Sequence, residues 1–353
     1  MRVLLTGAAG FIGGAVWSQL ELAGHEVVPL DAFIPQAHSG GGQRHQRASE
    51  IHRVDVRAAA ELKPLLTGVD VVCHQAAMVG AGVTPADLPL YAGHNDLGTA
   101  VLLAEMAEAG IGRLALASSM VVYGDGRYRC PDHDDQAATA RGLDDLAAGS
   151  FEVGCPRCGR PMEWAPVDED ARLQPRSSYA ASKLAQEHYA LAWARQLPGS
   201  VVALRYHNVY GPGMPRDTPY SGVAAMFRSA LEAGQGPTVY EDGGQMRDFV
   251  HVDDVGRANV RAIERVMNLD ADTFEAFNVC SGHPVRIAEV AQLVAAGAGR
   301  DELAPRVTGQ FRAGDVRHIV ASPQRARDVL GFNAEIAPFD GLRAFATAPL
   351  RDG

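Results

Sequence analysis

Hydrophobic positions in the first 206 residues fall into short runs separated by helical stretches. Arg2-Val-Leu-Leu-Thr6 is an apolar run of strand length, followed by the turn Gly7-Ala-Ala-Gly10-Phe11-Ile12-Gly13 and a helical pattern from Val16 to Leu22. Glu26-Val-Val-Pro-Leu30 reads as a second strand ending at Asp31, and further strands are expected near Val69–His74, Arg113–Ser118 and Val201–Arg205. Strands alternating with helices predict a doubly wound parallel sheet. Beyond Asn208 the elements shorten and proline and glycine become frequent, which predicts a smaller lobe closing over the strands' carboxyl ends, where ligands bind in such sheets. The expected division is residues 1–206 for a nucleotide-binding domain and 207–353 mainly for a substrate-binding α/β domain, with 248–267 returning to the first. Ser39-Gly-Gly-Gly-Gln43 predicts a flexible loop.

The glycines after the first strand permit positive φ, let backbone approach a pyrophosphate and allow tight helix packing, while the helix N-terminus attracts phosphate. A glycine-rich turn without a cofactor is the alternative at this point. Asp31 adds chemistry, because a carboxylate at the end of the second strand can accept hydrogen bonds from both adenosine ribose hydroxyls and would repel a 2′-phosphate. Ala32 and Phe33 follow with no adjacent arginine, which favours NAD over NADP.

Of the 32 basic residues only Lys63 and Lys183 are lysines, and Lys183 stands four residues after Tyr179. On a helix that spacing shares a face. An ammonium beside a phenol favours the phenolate and lowers a pKa that starts near 10, so Tyr179 is expected to act as a base near neutral pH. A solvated helix pair is the alternative. A formal net charge of -10 argues against nucleic acid or an anionic membrane as partner. No apolar run approaches the roughly 20 residues of a membrane span, and the chain opens directly on a strand without a leader pattern, so the cytoplasm is expected.

A separate constellation lies between Ser119 and Tyr179. Cys130-Pro-Asp-His133 and Cys155-Pro-Arg-Cys158 form two ligand pairs with the spacing of a tetrahedral structural zinc site, inside a stretch, 125–170, that reads as a zinc-knuckle-like insert. Four protein ligands would leave no open catalytic position. Free thiols or a disulfide are the alternatives, the latter disfavoured in a reducing compartment. Cys73 and Cys280 sit in apolar strand contexts and read as inert core residues.

Motifs in order along nearly the whole chain resemble the extended short-chain dehydrogenase/reductases of the nucleotide-sugar epimerase and dehydratase group. They are Thr6 to Gly13, Asp55-Val56, His74 to Ala77, Asn95 to Thr99, Ser118 to Gly124, Tyr179 to Lys183, Arg205 to Gly213, Arg247 to Asp254 and Arg312 to Asp315. The resemblance implies a Rossmann-type domain with NAD held by Gly7, Gly10, Phe11, Ile12, Gly13, Asp31, Asp55, Val56, Ala76, Ala77, Asn95, Ser118, Tyr179 and Lys183. It implies catalysis by Ser119, Tyr179 and Lys183, and a sugar diphosphate bound by Ser119, Asn208, Arg247, Arg312 and Asp315. In this family the helices around Thr99–Glu108 and Tyr179–Gln196 form a homodimer interface; core packing within one chain would equally explain their apolar faces.

The residues after Ser119 narrow the reaction. Dehydratases of this group follow that serine with Asp-Glu, and the hexuronate decarboxylases keep a glutamate at the second position, whereas this chain has Met120 and Val121. Without that acid-base pair elimination has no catalyst, which leaves reversible oxidation and re-reduction of one carbon. The expected reaction is 4-epimerisation of a dTDP- or UDP-sugar through a 4-keto intermediate. Arg205 to Gly213 followed by Thr218-Pro-Tyr-Ser-Gly222, the segment Thr308 to His318 and the cysteine insert are together most similar to the dTDP-L-rhamnose 4-epimerase branch, while His207 replaces a more usual aromatic or glutamine. A 4-ketoreductase, a UDP-hexose or hexuronate 4-epimerase, and a non-catalytic NAD-binding scaffold are the other readings.

Overall fold

A computed structural model describes residues 1–35, 38, 47–80, 84–216 and 222–352. The loop expected at Ser39–Gln43 and most of the Thr218–Gly222 motif lie outside these residues. The central sheet contains strands β1 (Arg2–Thr6), β2 (Glu26–Asp31), β3 (His52–Arg53), β4 (Val71–His74), β5 (Arg113–Ser119), β6 (Ser200–Tyr206) and β7 (Thr273–Val279). All neighbours pair in parallel, in the order β7-β6-β5-β4-β1-β2-β3. This is a Rossmann-type sheet. Its interior strands are continuous apolar runs because helices cover both faces.

The longer helices among the described residues are α1 (Phe11–Leu22), α2 (Gly98–Glu108), α3 (Ser178–Gln196), α4 (Val223–Glu232), α5 (Val252–Met267), α6 (Ile287–Gly297) and α7 (Pro338–Phe345). One face of the sheet packs Val3, Leu5 and Ala117 against α1 and against Val255, Ala258, Ile263 and Val266 of α5. The other face packs Leu4, Val72 and Leu116 against α2 and against Ala190, Trp193 and Ala194 of α3. A further core joins α4, α6 and α7 around Tyr210, Phe249 and Val285. The segment after β6 therefore leaves the sheet and re-enters it with α5 and β7. The return of β7 lies beyond the expected boundary at 206 and was not foreseen, because nothing local to Thr273–Val279 marks its long-range pairing with β6.

Residues 127–165 build a small antiparallel sheet from Arg127–Cys130, Asp134–Gln136 and Glu163–Ala165. Its core is small, with Tyr128, Cys130, Val153, Cys155 and Met162 as the buried members.

A buried polar network welds α3 to the sheet. The Arg205 guanidinium, at the end of β6, donates to Glu187 of α3 at 3.0 and 2.8 Å, to the Tyr123 hydroxyl at 2.9 Å and to the Glu169 carbonyl at 2.9 Å. The Ser118 hydroxyl also donates to Glu187. Removing one partner of such a pair strands a buried charge, so Glu187→Gln is expected to lower the unfolding free energy by about 3–5 kcal/mol. Urea denaturation checks this, and a loss below about 1 kcal/mol would contradict the buried-pair account.

Candidate functional site

The sheet order reverses between β1 and β4, the position where α/β sheets of this kind bind ligands. Gly7 there has φ +69°, and a Cβ on it would lie 2.7 Å from the Ala76 nitrogen. A Cβ on Gly13 would lie 1.9 Å from the Gly7 carbonyl oxygen. Both positions therefore require glycine. The Thr6 hydroxyl accepts the Ala76 N–H at 3.0 Å and fixes the loop after β4 beside this turn. Gly10 is the N-cap of helix α1 and brings no side-chain cap, so Phe11, Ile12 and Gly13 offer backbone N–H groups and the positive end of a helix dipole to an anion.

Asp31 is buried at the end of β2 and accepts from the Ala9 and Phe33 N–H groups at 3.1 and 2.7 Å. His38 Nε2 also lies 3.4 Å from this carboxylate, so of its about four acceptor positions one remains for a ribose hydroxyl. Asp55 is bound by Arg57, which holds its carboxyl below the usual carboxylate range, and Val56 packs in the core. Ala77 follows the Ala76 held beside Gly7. Asn95 lies in a π-helical turn and is consumed by the Met78 backbone and the Ser182 hydroxyl, at 2.7 to 2.9 Å. The Ser118 side chain points to Glu187 in the interior.

At the carboxyl end of β5 the geometry becomes chemical. Helix α3 starts at a Ser177 cap, whose hydroxyl accepts the Ala180 N–H at 3.1 Å, and this places Tyr179 in the first turn. The Tyr179 phenol bonds the Ser119 hydroxyl, and its ring lies 5.9 Å from that of Tyr91. One turn later the Lys183 ammonium donates to the Ala117 carbonyl at 3.0 Å. Burial pulls the Lys183 pKa down to about 8, opposed by the Glu187 carboxylate. Desolvation of the phenol pushes Tyr179 up to about 12, although Ser119 works against this. The spacing argument expected Tyr179 to be lowered by its lysine. That expectation is corrected here: desolvation dominates, and Lys183 is engaged by a backbone carbonyl. Ser119 caps a turn, Met120–Tyr123, in which Met120 and Val121 bring no acid or base.

Three of the substrate candidates, Arg247, Arg312 and Asp315, lie near one another in a second group. Arg247 is inserted among the carbonyls of Met246, Val316 and Arg317, at 2.8, 2.6 and 2.9 Å, and burial lowers its pKa to about 10. Arg312 stands over the Tyr240 ring at 5.0 Å, beside a cavity of about 460 Å³ lined by Tyr240 and Thr308–Arg312. Burial raises Asp315, and Arg312 and Arg247 pull it back. Asn208 and His207 follow β6, where Ser119 and Tyr206 are in register. The Asn208 side-chain oxygen is buried without a hydrogen-bond partner, and the buried His207 ring has the Asn278 side chain beside it. Burial lowers His207 to about 3, so its imidazole is neutral. Sequence reasoning missed Tyr240, whose ring gains meaning from Arg312, and Arg351, whose guanidinium donates to the Ala9 carbonyl of the glycine turn at 2.8 Å. Neither contact leaves a local sequence signal.

Cys130, His133, Cys155 and Cys158 converge, with one ligand atom from each lying within 4.8 Å of the others. Cys73 and Cys280 are buried, and burial pushes the Cys73 thiol up to about 12.

The sequence matches the NAD dependent epimerase/dehydratase family over residues 3–142 and 155–280. The chain belongs to this family. The twelve positions between the two matched stretches, 143–154, fall inside the cysteine insert. It is 32% identical to the dTDP-L-rhamnose 4-epimerase of Burkholderia thailandensis, over 95% of this chain and 91% of that protein. It is 31% identical to the UDP-glucose 4-epimerase of Mycolicibacterium smegmatis, over 97% of this chain and 96% of that one. Among solved structures, MoeE5 in complex with UDP-glucose and NAD superposes with a TM-score of 0.74 at 30% identity, covering 98% of this chain and 97% of that one. Among the described residues no helix is long and apolar enough to cross a membrane.

The two shifted groups of this site give a pH signature. With its amine lowered from 10.5 to about 8, the folded chain binds fewer protons at Lys183 than the unfolded chain does in that interval. Stability contributed by Lys183 therefore rises with pH from about 8, while the raised Tyr179 works in the opposite direction above 10. Between pH 8 and 10 the urea midpoint is expected to climb relative to that of Lys183→Met; parallel pH dependence of the two proteins would contradict the buried amine.

Proposed function

We propose that this enzyme inverts C4 of a UDP- or dTDP-sugar through a 4-keto sugar, using a resident NAD. The observation that carries the reading is the joining of Tyr179, Ser119 and Lys183 at the end of β5, with Met120 and Val121 where elimination would need an acid and a base. The cofactor fits its cradle: two glycines that tolerate no Cβ, an uncapped helix N-terminus for the pyrophosphate and Asp31 for the adenosine ribose. NAD held by the glycine turn and Asp31 would supply a reversible hydride acceptor for C4, and the positive charge of its oxidised form would favour the Tyr179 phenolate. Tyr179 takes the C4 hydroxyl proton and gives it back after the sugar turns. Ser119 orients that hydroxyl, and the amine of Lys183 serves the proton path and the nicotinamide ribose. Arg247 and Arg312 hold the diphosphate, with Asp315 beside them and Asn208 as a further ligand, and the Tyr240 ring stacks on the base. His207, neutral and buried, faces the sugar from the end of β6.

The four-residue cluster fits a structural zinc. Tetrahedral ligands about 2.3 Å from zinc have edges of about 3.7 Å. Here Cys130 Sγ and Cys158 Sγ are 3.7 Å apart, and His133 Nδ1 is 3.4 and 3.5 Å from the sulfurs of Cys130 and Cys155. The same 3.7 Å is far longer than a disulfide. A cytoplasmic setting keeps such thiolates reduced. Exposed Leu97 and Tyr189, on and beside α2 and α3, support a homodimer through these helices.

Enzyme as purified, given UDP- and dTDP-sugars without added cofactor, is expected to invert C4 as followed by proton NMR, and Tyr179→Phe to slow this by about 10²-fold or more. Strict dependence on added NAD(P)H would favour a 4-ketoreductase, and an unchanged rate in Tyr179→Phe would overturn the catalytic assignment. Metal analysis is expected to return about one zinc per chain. Metal-free protein with an intact insert would contradict the zinc site.

A further inference from the structure

The Cys/His insert reaches the nucleotide-binding segment through residues fixed to its ligand positions. Tyr128 stands two residues before Cys130, and Glu152 three before Cys155. The Tyr128 hydroxyl accepts the His318 backbone N–H at 3.0 Å, and its ring lies 6.1 Å from the His318 imidazole. The Glu152 carboxylate accepts from Arg317 Nε at 3.0 Å and pairs with His318 Nε2 at 2.9 Å. Arg141, between the two ligand pairs, donates to the Asp315 carbonyl at 2.7 Å and to the Phe151 carbonyl at 3.0 Å, and pairs with buried Glu241 at 2.8 Å. These struts meet one short segment, 315–318. That same segment supplies the Val316 and Arg317 carbonyls that seat the Arg247 guanidinium, and it begins three residues after Arg312.

We infer that the insert is a brace that sets affinity for the nucleoside diphosphate, with Tyr128, Arg141 and Glu152 as positioning residues for Arg247 and Arg312, and with metal occupancy as its control. The inference rests on the nucleotide-sugar reading of that segment. The insert's core has five buried side chains, two of them the ligand cysteines, with Ala138 and Trp164 partly buried against them; this is too little to hold its own shape, so its ligands must fix it. Loss of the metal frees Tyr128 and Glu152 and lets 315–318 relax. Arg317 keeps Glu241 and Asp242 at 2.8 and 2.7 Å, so the lobe itself persists. None of these bonds reaches the glycine turn or Asp31, and cofactor binding is insulated.

Titration calorimetry with UDP and with dTDP on the full-length protein tests this, before and after chelation of the metal, with bound NAD measured in parallel. Chelation is expected to weaken diphosphate binding by about tenfold or more, reversed by zinc, at unchanged NAD content. Glu152→Gln, which keeps all four ligands, is expected to give a similar loss with unchanged zinc and NAD, and to raise KM about tenfold while kcat stays within about twofold. Unchanged affinity after chelation and in Glu152→Gln overturns the brace alone, as does a loss of NAD that keeps pace with the loss of diphosphate binding. If untreated protein binds neither UDP nor dTDP, the nucleotide-sugar reading falls and takes the brace with it.

Discussion

The register of α3 against β5 is the constraint on which the site depends. Tyr179, Lys183 and Glu187 recur every fourth residue and share one helix face. Each engages one of three consecutive β5 residues: Ser119 takes the phenol, the Ala117 carbonyl takes the ammonium and the Ser118 hydroxyl bonds Glu187. Arg205 then ties Glu187 to β6. A charge pair this deep gains little net stability, because desolvation cancels much of its attraction. What it supplies is position. A slipped or rotated α3 would strand Glu187 and Arg205 without partners, so the reactive face has one arrangement.

Much of this was legible in the sequence because its causes are local. A strand, a glycine turn and a helix sit within about twenty residues, and the two ligand pairs, Cys130 with His133 and Cys155 with Cys158, are each spaced by two. Helical periodicity brings Tyr179 and Lys183 to one face without knowledge of the fold. Pairings distant along the chain left no such trace: Glu187 with Arg205, Arg312 over Tyr240, Arg351 on the glycine turn and β7 beside β6. The Tyr179 pKa was misread for a related reason. Spacing reveals a neighbouring charge, but desolvation depends on everything that packs around the phenol, and here it wins.

The molecule divides its work between a rigid cradle and a braced anchor. Glycines without room for a Cβ, an uncapped helix and Asp31 meet at the switch point of the sheet, where the proposed function seats the dinucleotide. Arg247 is hydrogen-bonded by backbone carbonyls and Arg312 stands over the Tyr240 ring, with Asp315 as the carboxylate beside both; in the proposed function these two guanidinium groups hold the diphosphate. Between them, the replacement of an acid-base pair by Met120 and Val121 limits the chemistry to moving one hydride and one proton at one carbon.

Deuterium at C4 of a UDP- or dTDP-sugar tests that limit most directly. Inversion with the label retained at C4, and none lost to solvent or moved to C6, is the predicted result. Label appearing at C6, or washing out into water, would contradict a hydride that leaves and returns to the same carbon.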